Sequence, residues 1–224
     1  MSGDGRKLLA AVRAELAPRD DENELVPLIA DGTAPRSVFA VLASEELRIV
    51  PSDWRSLHTL AARSDEPAAR SYFGGLAAGE EQALATLGPL AQEAGLTPDA
   101  VRDHEPLAGC QAYPSYFAWL ALNAAPAEVA VAITANFAAW GGYCAQIVRG
   151  MRTHYGFSPA AMAFFEFFAE PLPDDAAVAA IQAGLNAGTL DERRARRYAR
   201  LFQAYELMFW NTLADPVSTA SAPS

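Results

Sequence analysis

The amino-acid sequence predicts an all-α protein built as a single multi-helix bundle. Nearly every segment is rich in Ala and Leu, and no stretch shows the alternating apolar pattern of β-strands. About half of the 224 residues are apolar, which is enough for one large domain with a sizeable core. No repeat or linker divides the chain, so we expect one helical domain over residues 1–215 and a disordered tail over 216–224.

The N-terminal half predicts several helices separated by turn signals. Asn23 is the expected N-cap of the second helix and Ser52 that of the fourth, whereas Gly95 ends the last one. Pro35 is expected to begin the third helix, which carries Glu45 and Glu46 at its far end. The other expected helices are 7–16, 24–30, 53–63 and 66–94, the last either continuous or divided near residues 74–75.

The C-terminal half predicts five further helices after a short connector near Thr97. A helix rich in aromatic residues comes first, followed by a tight turn into a central helix. Ser158 is expected to cap the helix after that, and the final helix is expected to end before Pro216. The expected helices are 111–123, 127–154, one beginning at residue 159, 174–184 and 190–213.

The central helix includes an uncharged run from Val129 to Val148. A run of this length also fits a membrane span, but it contains polar residues and glycines and lacks a basic flank and an aromatic belt. We therefore expect a helix covered on all sides by other helices. Asn136, Trp140, Tyr143 and Cys144 recur at three- and four-residue steps and share one stripe, which lines a pocket or belongs to ordinary core.

Composition argues against nucleic acid and membrane partners. The chain carries 27 acidic and 17 basic residues, a net charge of −10, so it offers no general phosphate-binding surface. The arginines between Arg193 and Arg200 are spread around a helix and indicate a solvated face. Two cysteines without a CxxC pattern, and an N-terminus unlike a signal peptide, predict a cytoplasmic protein without disulfides.

Two acidic positions are candidates for acid–base chemistry. Glu206 is followed by Phe209 and Trp210, and a carboxylate among aromatic rings is desolvated, which raises its pKa. The alternative is that Glu206 pairs with a nearby arginine. Glu45 and Glu46 are adjacent on a helix, so one of them points closer to the core, unless both are solvated.

No cofactor is expected from the sequence. The three histidines, His58, His104 and His154, are far apart and form no HxxxH or ExxH pair for a metal. No GxGxxG motif precedes a βαβ pattern, and no GxSxG elbow is present.

Four stretches resemble the TenA (thiaminase II) family, which has the haem-oxygenase-like all-α fold. They are PLIADGTAPRSVFAVLASEE, CQAYPSYFAWLA, AEVAVAITANFAAWGGY and, most specifically, AYELMFWNTLA, and they cover about residues 24–214. The resemblance implies an enzyme that cleaves or hydrolyses aminopyrimidines in thiamin salvage. It also implies a homo-oligomer, a dimer or tetramer, that binds a small heteroaromatic ligand.

The resemblance also implies roles for particular residues. The family's proton-donating glutamate falls on Glu206 and its aminopyrimidine-binding aspartate on Glu46, whereas its catalytic cysteine falls on Asn136. Asn cannot act as a thiolate nucleophile, and Cys144 is two turns away, about 12 Å. The family tyrosine on the central helix falls on Trp140, and an earlier tyrosine falls on Ser115 or Tyr116. The expected substrate-binding side chains are Asn136, Trp140, Tyr116, Tyr143, Trp210 and one of the phenylalanines 164–168, with Phe165 preferred.

A branch of this family lacks the cysteine and uses paired acidic groups to hydrolyse amino- or formylaminopyrimidines. Glu46 and Glu206 resemble such a pair, with Asn136 hydrogen-bonding the ring. Two alternatives remain: a protein of the same fold that binds or acts on another small molecule, and a haem or di-iron oxidase, against which the spacing of the histidines argues.

Overall fold

A computed structural model of the chain describes residues 4–19 and 22–220, with side chains as far as 215. Within these residues the chain forms ten α-helices and no strand, which confirms the predicted all-α class. The helices are α1 (Gly5–Glu15), α2 (Leu25–Ala30), α3 (Val38–Arg63), α4 (Pro67–Glu93), α5 (Pro98–Asp103), α6 (Ala108–Asn123), α7 (Pro126–Gly150), α8 (Pro159–Ala169), α9 (Asp175–Ala187) and α10 (Glu192–Ala220). A π-helical turn, Met151–Tyr155, follows α7.

Helix α7 runs through the middle of the bundle, as the sequence predicted. Every residue from 127 to 136 is buried, and α7 is packed against α1, α2, α8, α9 and α10. The core consists of two apolar clusters, one around each half of α7. No helix in the described part of the chain is both long and apolar enough to cross a bilayer.

Several predicted boundaries differ from those of the structure. The third helix begins at Val38 and not at Pro35, and the connector expected after Thr97 contains α5. The chain from Val38 to Arg63 is one helix that continues through Pro51, so Ser52 caps no new helix. Helix α4 is continuous past residues 74–75. Helix α10 extends to Ala220 rather than ending before Pro216, so the first part of the expected tail is helical, while residues 221–224 lie outside the described residues.

Two ionic contacts join distant helices, one at the buried Glu128 carboxylate and one between the partly exposed Arg13 and Asp174. The Glu128 carboxylate of α7 accepts hydrogen bonds from the Asp191 backbone N–H and from Arg194 Nε, both at 2.9 Å, and so fixes the start of α10. The Arg13 guanidinium of α1 binds both carboxylate oxygens of Asp174 at 2.6 Å. Bidentate pairs of this kind hold an orientation as well as a distance.

Helices α2 and α7 make a close backbone contact at Gly150. A Cβ atom placed on Gly150 would lie 2.3 Å from the Ile29 carbonyl oxygen and 3.1 Å from Ala30 Cα. Only glycine therefore allows α2 to lie directly on the end of α7, where α2 follows the Asn23 cap. Asn23 Oδ1 accepts the N–H groups of Leu25 and Val26 at 3.2 and 2.9 Å, as the sequence predicted.

Replacing Gly150 tests this contact. We expect Gly150→Ala to lower the free energy of unfolding by about 1–3 kcal/mol, because the new methyl group forces two helix backbones apart. Urea denaturation followed by circular dichroism measures the change.

Gly142 is the matched control, because it lies on the same helix and a Cβ there meets nothing within 4 Å. Gly142→Ala should be neutral or should stabilise the protein by up to about 1 kcal/mol, since Ala is the better helix former. Equal effects of the two substitutions would contradict the close contact.

Candidate acid–base site

Four acidic side chains from three helices meet in the interior of the bundle. We call Glu46, Asp53, Glu80 and Glu206 the acidic cluster. Glu46 and Asp53 lie two turns apart on one face of α3, Glu80 is on α4 and Glu206 is on α10. Glu46, Asp53 and Glu206 are buried, whereas Glu80 is partly exposed.

Glu206 has a defined hydrogen-bonding environment. Trp210, one helical turn further on, donates its Nε1–H to Glu206 Oε1 at 3.1 Å. Burial raises the pKa of Glu206 to about 7, although the Trp210 indole and the neighbouring Asn136 amide both favour the charged form. Glu206 forms no ion pair with an arginine in the described part of the chain, so the alternative of simple charge pairing does not hold. A carboxyl group with this pKa can donate or accept a proton near neutral pH.

The two acids of α3 are also shifted towards the protonated form. The pKa of Glu46 is well above its usual value because the group is desolvated and faces Asp53, Glu45 and Glu206. Asp53 accepts a hydrogen bond from the Tyr113 hydroxyl at 2.7 Å, yet burial raises its pKa to about 7. The second oxygen of Asp53 is buried and has no hydrogen-bond partner among the described residues. The cluster therefore has acceptor capacity that the surrounding side chains leave unused.

Glu80 extends the cluster towards solvent. Desolvation and the charges of Asp53 and Glu46 raise its pKa well above the usual value. The Tyr113 hydroxyl also faces this group, and its pKa is raised well above 10 by burial and by Asp53, Glu80 and Glu206. The protonation states of Glu80, Asp53 and Tyr113 therefore depend on one another.

Aromatic rings form one side of the site. Trp210 is fully buried, and its ring centroid lies 5.2 Å from that of Trp140 and 5.9 Å from that of Tyr143. Of the phenylalanines of α8, Phe168 contacts Trp140 at 5.8 Å, whereas Phe165 lies in the core against Phe164 at 5.2 Å. These rings desolvate Glu206 and offer flat surfaces for a planar ligand.

Asn136 and Cys144 are both buried on α7 near the acids. The Asn136 Nδ2 atom has no hydrogen-bond partner among the described residues, although its amide is close enough to lower the Glu206 pKa. The pKa of the Cys144 thiol is well above its usual value because of burial and the charges of Glu46 and Glu206. Cys144 is therefore held as a thiol, which is a poor nucleophile.

Glu45 has a structural role and is not a member of the acidic cluster. Its carboxylate is fully buried and accepts hydrogen bonds from His104 Nε2, the Leu107 N–H and Gln111 Nε2 at 2.8–3.0 Å. These bonds attach the start of α6 to α3. The sequence alternative that both Glu45 and Glu46 are solvated is therefore wrong, and Glu45 is a structural acid.

Tyr116 lies away from the acidic cluster. Its ring stacks with Trp119 at 6.0 Å and contacts Tyr205 at 5.0 Å, at the outer junction of α6 and α10. The tyrosine of α6 that reaches the acids is Tyr113, one turn earlier.

Sequence reasoning missed Asp53, Glu80 and Tyr113. A signal for Asp53 was present, because it follows Glu46 by seven residues and so shares its helix face. That relation was hidden by the assumption that a new helix begins at Ser52. Glu80 and Tyr113 carry no local signal, because their partners are distant in sequence.

A surface cleft of about 190 Å³ approaches the site between the start of α2 and α7. Tyr143 forms part of its wall, and its ring also contacts Trp210, the hydrogen-bond partner of Glu206. Asn23 also lines the cleft. Burial and the charge of Glu206 raise the pKa of Tyr143, whereas the Asn23 side chain lowers it.

No group of three or more His, Cys, Asp or Glu side chains in the described residues has a geometry suited to a metal ion. His104 is engaged with Glu45, and His154 lies beside Gly32. The histidines therefore stay outside the acidic cluster.

The fold is similar to several solved structures at low sequence identity. A domain of unknown function with a haem-oxygenase-like fold from Shewanella denitrificans superposes with a TM-score of 0.67 at 14% identity, over 96% of this chain and 90% of that one. A TenA homologue from P. horikoshii gives 0.65 at 16% identity, over 94% of both chains. A protein from Silicibacter sp. described as a TenA family transcription regulator gives 0.65 at 14% identity, over 97% and 100%.

Among curated proteins, no sequence matches this chain. The sequence pattern of the TENA/THI-4/PQQC family matches residues 24–215, which include all ten helices except α1 and the end of α10. The solved structures that superpose on this chain have the haem-oxygenase-like fold, which the resemblance predicted. With the family pattern extending over most of its length, the chain belongs to the TENA/THI-4/PQQC family.

Proposed function

We propose that this protein is a cysteine-independent hydrolase of aminopyrimidine compounds, of the kind used in thiamin salvage. The observation that supports the proposal is the position of Glu206. It is buried, carries a pKa of about 7, and faces Glu46, a second acid from a different helix. Two neighbouring acids, one with a pKa of about 7 and the other with a pKa raised well above its usual value, are suited to move a proton in each direction.

In the proposed reaction one acid of the pair accepts a proton from water while the other protonates the leaving nitrogen. The water oxygen forms a bond to the methylene carbon as the carbon–nitrogen bond breaks, so that an aminomethylpyrimidine and water give a hydroxymethylpyrimidine and ammonia. No thiolate is required for this single displacement. That agrees with Asn136 in place of the family cysteine and with Cys144 held as a thiol.

The acidic cluster favours a ligand that donates hydrogen bonds. Asp53 has an unused acceptor, and Glu46 and Glu206 have no cationic partner among the described residues. An aminopyrimidine offers amine N–H groups and a ring nitrogen that can be protonated beside a carboxylate. The Asn136 amide, which lies beside Glu206, supplies a hydrogen-bond donor for a ring nitrogen, and the half-buried Trp140 supplies a flat surface.

A second candidate is a binding protein or enzyme of the same fold for another small molecule. It is favoured by the two departures from the family pattern on α7, Asn136 and Trp140. Both candidates would bind their ligand at the acidic cluster. Hydrolysis of an aminopyrimidine by the purified protein distinguishes the first from the second.

Turnover by Glu206→Gln tests the proposed acid. The wild-type protein should hydrolyse an aminopyrimidine or a formylaminopyrimidine, and Glu206→Gln should lower kcat by about 10²–10⁴, because Gln cannot transfer a proton. The Gln oxygen can still accept the Trp210 bond, so the fold should be preserved. Ammonia or formate release, measured against thiamin as a third substrate, provides the assay.

Glu166→Gln is the control, because Glu166 is a surface residue paired with Arg152 and lies outside the cluster. Full activity in Glu206→Gln would eliminate the proposed role of Glu206. A wild-type protein that turns over none of the three compounds would favour the second candidate.

The raised pKa of Glu206 also predicts a pH-dependent stability difference. The usual pKa is 4.5 and the folded value is about 7, so between these values the folded chain keeps a proton that the unfolded chain has lost. The Glu206 contribution to stability is therefore lost as pH rises from about 4.5 to about 7.

Glu206→Gln removes the titrating carboxyl group and with it this pH dependence of stability. We expect the variant to be more stable than wild type by about 2–3 kcal/mol at pH 8 and nearly equal to it at pH 4.5. Urea denaturation at both pH values measures the difference. A difference that stays constant with pH would show that Glu206 is not desolvated as described, whereas Glu166→Gln should shift stability by less than about 0.5 kcal/mol at either pH.

A further inference from the structure

An acidic side chain occupies a core position of α4. The buried stripe of this helix carries Phe73, Ala77, Ala83 and Leu87. Glu80 lies three residues after Ala77 and three before Ala83, so it stands at the centre of that stripe, and yet its side chain stays partly exposed. An apolar residue would cost less free energy at such a position, which indicates a chemical role for Glu80.

Glu80 lies beside Asp53 of α3. Trp54 of α3 donates its Nε1–H to Glu81 of α4 at 3.0 Å, and this bond sets residues 53–54 opposite residues 80–81. Glu81 is on the outside of the contact, whereas Asp53 is buried on its inner side. The charge of Asp53 helps to raise the pKa of Glu80, as expected for neighbouring carboxyl groups. The two acids therefore lead from the surface to the interior.

Tyr113 of α6 continues this series towards the proposed catalytic acids. Its hydroxyl donates to Asp53 Oδ2 at 2.7 Å, and it is close enough to Glu206 for that carboxylate to help raise its pKa. Asp53 Oδ1 is buried without a hydrogen-bond partner among the described residues, so Asp53 keeps an acceptor that Tyr113 does not use. Glu46 lies two turns before Asp53 on the same face of α3, and its charge also acts on Glu80.

The other titratable groups near these acids are engaged elsewhere or stay protonated. Glu45 is bonded to His104, and Glu81 is exposed and bonded to Trp54. Burial and nearby carboxylates raise the pKa values of the Cys110 and Cys144 thiols, so both keep their protons near neutral pH. Glu80, Asp53 and Tyr113 are therefore the groups available to carry a proton.

The proposed hydrolysis requires proton exchange with solvent. The acid that protonates the leaving nitrogen is ionised after each turnover, and the released ammonia takes up a further proton at neutral pH. Glu46 and Glu206 are both buried, so bulk water does not reach them directly. A series of exchangeable groups between the surface and these acids would meet the requirement.

We propose that Glu80 and Asp53 form the route by which protons pass between solvent and Glu206. A proton from water binds to the Glu80 carboxylate and passes to Asp53. Protonated Asp53 then donates to the Tyr113 oxygen, and the Tyr113 hydroxyl turns and gives its own proton to Glu206 as it receives that of Asp53. Only O–H bonds form and break, and every group except Glu206 returns to its starting state. The use of this proton in catalysis rests on the proposed function, whereas the route itself does not.

A pH jump without substrate tests the route. Because Trp210 donates to Glu206, its fluorescence should change when Glu206 gains a proton, and Glu206→Gln should abolish that change. A stopped-flow jump from above to below the Glu206 pKa of about 7 gives the rate of proton delivery. Glu80→Gln should slow this rate about tenfold or more, because protons then reach Glu206 only when the bundle opens locally. Asp53→Asn should slow it similarly, since an amide oxygen still accepts the Tyr113 bond but does not take up the proton.

Glu81→Gln is the matched control, because Glu81 is the next residue, is exposed, and as an amide can still accept the Trp54 bond. It should leave the rate unchanged. Imidazole, a small proton carrier, should restore part of the rate in Glu80→Gln, which a merely structural defect would not show. Circular dichroism establishes that each variant is folded.

Four results would each overturn the route. They are a wild-type rate in Glu80→Gln, an equal slowing in Glu81→Gln, a slow rate that imidazole does not raise, and the lack of any signal that depends on Glu206. Because no substrate is present, these results do not depend on whether the protein hydrolyses aminopyrimidines, which the turnover assay decides separately.

Discussion

The arrangement of the interior of this bundle depends on what replaces the lost solvation of its buried carboxyl groups. Removing an ionised carboxylate from water costs several kcal/mol unless hydrogen bonds or a cation replace the lost solvation. The protein contains both solutions. Glu45 receives three hydrogen bonds and Glu128 receives Arg194 and a backbone N–H, so both acids act as joints between helices. Glu206 accepts a single strong hydrogen bond, from Trp210, and burial raises the pKa values of both Glu46 and Glu206. Fully bonded acids hold the fold, and incompletely bonded acids mark the site.

The site is a property of the whole bundle and not of one motif. Its acids come from α3, α4 and α10, and its amide comes from α7. The continuity of α3 through Pro51 is essential, because only an unbroken helix keeps Glu46 and Asp53 on the same face two turns apart. An interior proline removes one backbone hydrogen bond at a cost of about 3 kcal/mol. The buried apolar residues on both halves of α3 offset that cost.

Because the site is assembled from distant parts of the chain, the sequence could predict only those features that have a local signal. The fold class followed from helical composition, and α7 from its uncharged run, because both signals are local. Glu206 could be found because Phe209 and Trp210, which desolvate it, are neighbours in the chain as well as in space. Asp53 was missed because serine is a preferred N-cap residue, so Ser52 suggested the start of a new helix. Glu80 could not be found at all, since its partners lie on another helix. Likewise, the sequence predicted Tyr116 at the site, whereas Tyr113, one turn earlier, binds Asp53 and Tyr116 packs against Tyr205 of α10.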